Sequence, residues 1–361
     1  MTDQNNRPRG DWESPAYVSF ITPFCIVRPD NEEDFTVPLD DINQNTYDHG
    51  LLCRVVTALP SPLLNTTSLL ICADGAIAVP AIPELESIND VLDVINDALC
   101  CLLLGGHLCE AIDTRDVVSG NLHECRAIWP TNLGQSLNAH VHSTLRMKVA
   151  STMNTIQLSS PKNISVSDFL ESYRVGRLIL DKIHNLSPPL LLRGFTEMRY
   201  GNSVDALSNL WIIVEQLTEF LWTSRFIDDS EKHPDPEIPN RRRSLGKDTR
   251  SWSTSIRQEM LYQLGVLPAT TYSKIHPARK ARNDLVHEGR RPMGGTVEAL
   301  FDGVLDLIGI ASGASPSLLR ELEAATRSDF HHRTENDLSD WEKTISQQGG
   351  AGQPATRFES K

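Results

Sequence analysis

Asn202 to Phe226 reads NSVDALSNLWIIVEQLTEFLWTSRF, and its spacing decides how the second half of the chain folds. Leu207, Leu210, Trp211, Val214, Leu217 and Leu221 recur at helical steps, so they share one face of an α-helix. Asn202 or Ser203 offers the side-chain oxygen that a helix N-terminus needs. This is the most apolar helical segment of the chain, and it is expected at the centre of a helical core.

The neighbouring segments keep the same rhythm. SVSDFLESYRVGRLILDKIHNL, from Ser165 to Leu186, puts Phe169, Tyr173, Leu178, Ile179 and Ile183 on one stripe, with Ser165 or Ser167 as its cap and Pro188-Pro189 as its stop. A second helix is expected from Leu190 to Arg199. Downstream, a capped helix should end at Gly265, and another should run from Pro277 at its first position to a C-cap at Gly289. In that helix Leu285 and Val286 are expected to turn toward the core. TVEALFDGVLDLIGIAS and SPSLLRELEAATRSDF complete the helical set. Asp228 to Arg250, polar and with three prolines, reads as a loop.

Upstream of Ser165 the pattern is different. AYVSFITPFCIV, GLLCRVVTAL and SLLICADGAIAVPAI are short apolar or β-branched runs bounded by Pro, Asn, Asp and Gly, the signature of strands separated by turns. HECRAIWP and AHVHSTLRMKV are expected to add further strands. Before these two, SINDVLDVINDALCCLLLGG carries Ile88, Leu92, Ile95, Leu99 and Leu102 at helical spacing, capped by Ser87 and closed by Gly105-Gly106. The expected fold class is therefore α+β. A strand-rich mixed domain of sensing or regulatory type over 1–150 precedes an all-helical domain over 165–330, with a disordered tail over 331–361.

The chain holds 34 basic and 47 acidic residues, a net charge of −13, and the imbalance is local. Residues 1–150 carry 8 basic and 20 acidic side chains, whereas Pro239 to Thr296 carries 12 basic and 4 acidic. An acidic protein is not a general polyanion sponge, but a basic patch within it suits one selected polyanion. No run approaches the ~20 apolar residues of a membrane span, and MTDQNNRPRGDWES lacks the apolar core of a signal peptide. A cytosolic chain with seven reduced cysteines and no membrane contact is expected.

The basic patch centres on ARKARNDLVHEGRR, from Ala278 to Arg291. On a helix Asn283 and His287 share a face, and the long side chain of Arg282 can swing to meet the histidine. An imidazole that titrates near neutral pH can take a proton from a ribose 2′-hydroxyl or give one to a leaving oxygen. A guanidinium can fork onto the phosphate as charge develops. Arg279, Lys280, Arg290 and Arg291 would hold flanking phosphates. No metal or other cofactor is required. One histidine supplies one proton-transfer group, so two copies meeting across a two-fold axis would make the better site. On spacing alone, a basic helix end is equally what the helix dipole favours.

KIHPARKARNDLVHEG resembles the Arg-polar-(x)n-His signature of the HEPN superfamily, and VDALSNLWIIVEQLTEFL looks like the Trp-containing helix with an inward Glu of Apea-like HEPN proteins. The resemblance covers residues 165–313 and implies a HEPN-like helical bundle that dimerises. It also implies a metal-independent endoribonuclease with Arg282 and His287 as catalytic pair and Asn283 orienting the phosphate or the histidine. Single-stranded RNA or tRNA would be the substrate, in a toxin or antiviral defence effector whose first domain answers a protein or ligand trigger. Glu215 is either a supporting partner of that pair or a buried residue paired with an arginine. The same resemblance admits non-catalytic modules that bind RNA, nucleotide or protein. Outside it, His107/Cys109 and His123/Cys125 have the residue types of a zinc site, against the plainer reading as core residues. RRRSLG, residues 241–246, is either a solvated loop or a substrate guide, and Trp211 and Trp222 read as core.

Overall fold

A computed structural model describes residues 13–31, 40, 49–65, 67–132, 134–146, 162–228 and 250–314. The expected α+β class holds. Strands β1 (Glu13–Phe20), β3 (Val55–Pro60), β4 (Ser68–Cys72), β5 (Ala76–Pro80), β6 (Val118–His123) and β7 (Ala127–Pro130) form one antiparallel sheet in the order β3-β4-β5-β1-β6-β7. β2 (Cys25–Arg28) pairs instead in parallel with β8 (Lys162–Ser165). The six-stranded sheet curls until its two edges meet. Val55 N–H donates to Arg126 O at 2.8 Å and Ile128 N–H to Cys53 O at 3.1 Å.

Alternation along β5 shows how the sheet is covered. Ala76 and Ala78 face a small cluster inside the curl with Ala16, Val18, Phe20, Cys72, Val118 and Ile128. Ile77 and Val79 face the large core on the other side. The small side chains of Ala76 and Ala78 leave room inside the curl for Phe20 and Ile128.

The inside of the curl is covered by α3 (Leu137–Arg146), where the sequence predicts a strand. The reason for the difference is the identity of the buried face. Ala139, His142 and Arg146 follow helical steps of three and four and are all buried, so two polar residues point inward where an alternating pattern would send them to solvent. Arg146 donates from Nε to Asp74 Oδ2 at 2.7 Å, from Nη2 to Asp74 Oδ1 at 2.5 Å, and from Nη1 to Ile128 O. His142, 1% exposed, is stacked between Phe20 and Phe24 with ring centroids 4.2 and 4.8 Å away. Its Nδ1 stands 3.9 Å from Asp74 Oδ2, too far for a hydrogen bond.

The helical layers follow from α1 (His49–Leu52), a single turn, and α2 (Ile88–Leu104) to α4 (Val166–Lys182), α5 (Pro188–Arg199), α6 (Ser203–Trp222), α7 (Thr254–Gln263), α8 (Ala269–Glu288) and α9 (Gly294–Ser312). Ser87 caps α2 through a reciprocal box, Ser87 N–H donating to Asp90 Oδ2 at 2.7 Å and Asp90 N–H to Ser87 Oγ at 3.4 Å. α2 is buried on every side from Val94 to Leu104, while Ile88 at its start is exposed. It is a central helix rather than an amphipathic one. Ser165 caps α4, accepting from Asp168 N–H, and Leu178, expected on its buried stripe, is exposed. That leaves Phe169, Tyr173, Ile179 and Ile183 to carry the packing. The stripe of α6 is buried as its spacing requires. One hydrophobic cluster runs from Ile21 through α2 and α6 to Ala311. The expected helix beyond residue 314, the tail over 331–361 and all of the 228–250 loop except its two end residues lie outside the described residues.

His142 makes the stability pH-dependent. Burial pushes its pKa below the ordinary value, and Asp74 offsets this only in part. The folded protein therefore binds that proton less readily than the unfolded chain, whose histidine titrates near about 6.5. Stability is full above that pH and falls as the pH drops below it. Asp74 acts lower down. Burial pushes its carboxyl up, but Arg146 outweighs this and, with His142, holds it well below the usual range, so its contribution is lost only below about 3.9. Asp97 and Glu110, both raised by burial, oppose the trend by losing stability as the pH rises above about 4. Thermal melts should show falling stability from about pH 7 to 5, and His142→Phe, which keeps the ring stack, should flatten that fall. An equal slope in the variant would remove His142 as the cause.

Candidate nucleic-acid interface

α8 is the element that presents the basic patch, and it is longer than its sequence implies. It begins at Ala269, after Pro268 as N-cap, so Pro277 lies inside it and not at its first position. Proline there removes one backbone donor. The acceptor that loses its partner belongs to Ser273, and both residues are exposed, where water replaces the bond. The helix ends as expected at Gly289 in the left-handed region with φ 67°, its N–H donating to Leu285 O at 3.0 Å.

Three contacts anchor the helix. Thr271 Oγ1 donates to Asp306 Oδ2 at 3.0 Å, Lys274 Nζ reaches the same oxygen at 2.9 Å, and Tyr272 Oη donates to Glu259 Oε2 at 3.2 Å. The buried face runs through Thr271, Ile275 and Ala278, with Leu285 partly covered. Val286, expected toward the core, is 59% exposed, because it lies about 100° round the helix from Leu285.

All three residues of the motif stand on the last two turns of α8, His287 and Asn283 exposed and Arg282 half-buried. Arg282 Nη1 approaches Asn283 Oδ1 at 3.5 Å, the outer limit of a hydrogen bond, so the amide oxygen faces the guanidinium. Arg279 is half-buried and Lys280, Arg290 and Arg291 are exposed. Among the described residues only Arg290 of this group has a carboxylate partner, Glu288 at 2.9 Å. Glu215 accepts from Trp211 Nε1 at 2.8 Å on its own helix, an i,i+4 pair, so the structure joins it to that indole. Trp211 and Trp222 are buried core residues.

The two His-x-Cys pairs do not come together. Cys109 is buried and donates to Leu99 O at 3.0 Å, whereas Cys125 is exposed in the β6-β7 turn. Among the described residues no group of three or more His, Cys, Asp or Glu could hold a metal ion. All seven cysteines are free thiols. RRRSLG lies outside the described residues.

Sequence reasoning missed a row of rings beside the patch. Tyr262 of α7 stacks on Tyr272 of α8 with centroids 5.4 Å apart and planes 16° apart, and Tyr272 meets His276 at 5.5 Å. Burial and the bond to Glu259 raise the Tyr272 pKa, and the charge of nearby Arg279 opposes them. The signal was present in the spacing. Tyr272, His276, Arg279, Asn283 and His287 fall within an arc of about 80° on one helix, but starting that helix at Pro277 cuts off the first two.

No family model, curated protein or solved structure matches the chain. Among the described residues no helix is long and apolar enough to cross a membrane.

Proposed function

We propose that the chain is a metal-independent endoribonuclease of HEPN type, acting in the cytoplasm as a homodimer, in the manner of a toxin or antiviral defence effector. The observation that carries this reading is the combination at the end of α8. Arg282, Asn283 and His287 stand on the last two turns, with Arg279 and Lys280 on the turn before and Arg291 just past the Gly289 cap, cations without carboxylate partners among the described residues. Val286, next to His287, and Met293, six residues further on, are 59% and 79% exposed and offer apolar surface for a second copy to cover.

In the proposed reaction His287 removes the 2′-hydroxyl proton, the 2′-oxygen attacks phosphorus, and the bond to the 5′-oxygen breaks. The leaving oxygen takes a proton from the second copy's imidazole, and Arg282 balances the charge that builds on the phosphate oxygens. The products are a 2′,3′-cyclic phosphate and a 5′-hydroxyl.

Single-stranded RNA or tRNA incubated with the full chain in EDTA should be cut, and Arg282→Ala and His287→Ala should each slow cleavage by about a hundredfold or more. Unchanged cleavage in both variants would overturn the assignment. Binding without any cleavage would establish the alternative, a non-catalytic module, which the net charge of −13 favours.

A further inference from the structure

The row Tyr262, Tyr272, His276 is the feature that the ribonuclease reading leaves unused. Its middle member is half-buried and held by Glu259, stacked on Tyr262 and tilted 42° from His276, while the outer two are exposed, so each end of the row offers a ring to solvent. Tyr272, bonded and half-buried, is ordered before a ligand arrives and gives the Tyr262 ring a surface to lie on. A planar ligand can therefore extend the row at a reduced entropic cost.

What the ligand carries besides flat rings follows from the rest of the stripe. Arg279 stands one turn beyond His276 on the same face, with Lys280 beside it, and neither has a carboxylate partner among the described residues. The stripe then passes Asn283 and ends at His287, about 22 Å from Tyr272 along the axis at 1.5 Å per residue. Glu259 is the acidic group at the start of this path, and its carboxylate is occupied by the Tyr272 hydroxyl. Aromatic faces followed by unpaired cations match a polymer that alternates bases with phosphates and whose bases are not stacked in a duplex.

We infer that Tyr262, Tyr272 and His276 form a stacking platform for single-stranded RNA, which Arg279 and Lys280 lead along α8 to Arg282 and His287. The choice of RNA rests on the ribonuclease reading, and the platform extends that site by a second element, α7. Duplex RNA is excluded from the platform because its bases present edges and not faces.

The test is fluorescence anisotropy on the full chain with a labelled 2′-O-methyl RNA of about twelve nucleotides, which covers a typical single-strand site and has no 2′-hydroxyl to attack. Y262A/H276A should weaken binding about tenfold or more without changing the salt dependence, since no phosphate contact is removed. Y262F keeps the ring and should bind like the parent. R279A/K280A should lower the slope of log affinity against log salt by about 1.4, at about 0.7 per phosphate contact on a single strand. A duplex of equal length should bind more weakly and be indifferent to Y262A/H276A. Equal binding by Y262A/H276A and the parent, in protein with an unchanged melt, would overturn the platform, as would equal loss for single strand and duplex. The two readings fail separately. Cleavage that H287A abolishes, with binding untouched by the ring variants, sinks the platform alone, whereas ring-dependent binding without cleavage sinks the ribonuclease alone.

Discussion

Replacing Arg146 with alanine is expected to cost the fold about 3–5 kcal/mol, the penalty of stranding a buried charge. Asp74 and Arg146 are both nearly inaccessible, and two of the guanidinium's three nitrogens bond the carboxylate. Removing the arginine leaves Asp74 with the Ala76 N–H at 3.2 Å as its remaining strong donor and releases the Ile128 carbonyl, which Nη1 had satisfied. A domain commonly has only about 5–15 kcal/mol to lose. The location raises the consequence further, because Asp74 sits in the β4-β5 turn and Ile128 on β7, near where the sheet edges meet. The pair thus clamps α3 onto the point of closure.

The same pair yields a sharper comparison. Exchanging both partners for apolar residues, Asp74→Ala with Arg146→Met, should cost less than Arg146→Ala alone, since no charge is then left buried. Urea denaturation of Asp74→Ala, Arg146→Met and the double would show this as a negative coupling. If the double variant lost as much as the sum of the singles, the pair would be energetically independent and the clamp would be wrong.

What the sequence disclosed depended on whether the inward-facing residues were apolar. α6 was legible because every residue of its stripe is aliphatic or aromatic, and β1 to β5 and β7 were legible because turn residues bound them, whereas β6, which ends where HECRAIWP begins, and β8 were not. Ser87 and Gly289 were legible because caps are local chemistry. α3 was not, because its buried face is Ala139, His142 and Arg146, and the reason for burying them, Asp74, lies 72 residues away in sequence. No local rule reports a distant counter-charge. α8 was half legible: its end was read correctly, but Pro277 passed for a beginning, since proline is favoured in a helix's first turn and costly inside one, and here the packing of Thr271 and Ile275 upstream carries the helix through it. That error hid Tyr272 and His276. Of the candidate site, the residue types and their shared face could be read from spacing, whereas the partner of Glu215, the exposure of Val286 and the stacked rings depend on neighbours that spacing does not specify.

Gly176→Ala, a single added methyl group, is expected to destabilise the protein by about 3 kcal/mol, the upper end of ordinary overpacking, or more. A Cβ at Gly176 would stand 1.8 Å from Cys101 O and 2.6 Å from Cys101 Cα. These are backbone atoms of α2, so no rotamer change removes the clash, and the helices themselves must separate. Gly105 reports the same contact from the other side, its Cβ position lying 1.8 Å from Ser172 O of α4. Two glycines, one on α4 and one just past the end of α2, thus let the helices cross with their backbones in contact. Separation would also stretch the neighbouring ion pair of Arg177 Nη1 with Asp97 Oδ2, now 2.8 Å. Against this, alanine gains at most about 1 kcal/mol over glycine inside a helix, so overpacking wins. Gly295→Ala supplies the control, because nothing lies within 4 Å of a Cβ there, and that variant should be neutral or slightly more stable. Parallel urea melts decide the matter: if Gly176→Ala and Gly295→Ala were equally stable, α2 and α4 would not cross at that distance, and the core that joins the curled sheet to the helices would have to be packed another way.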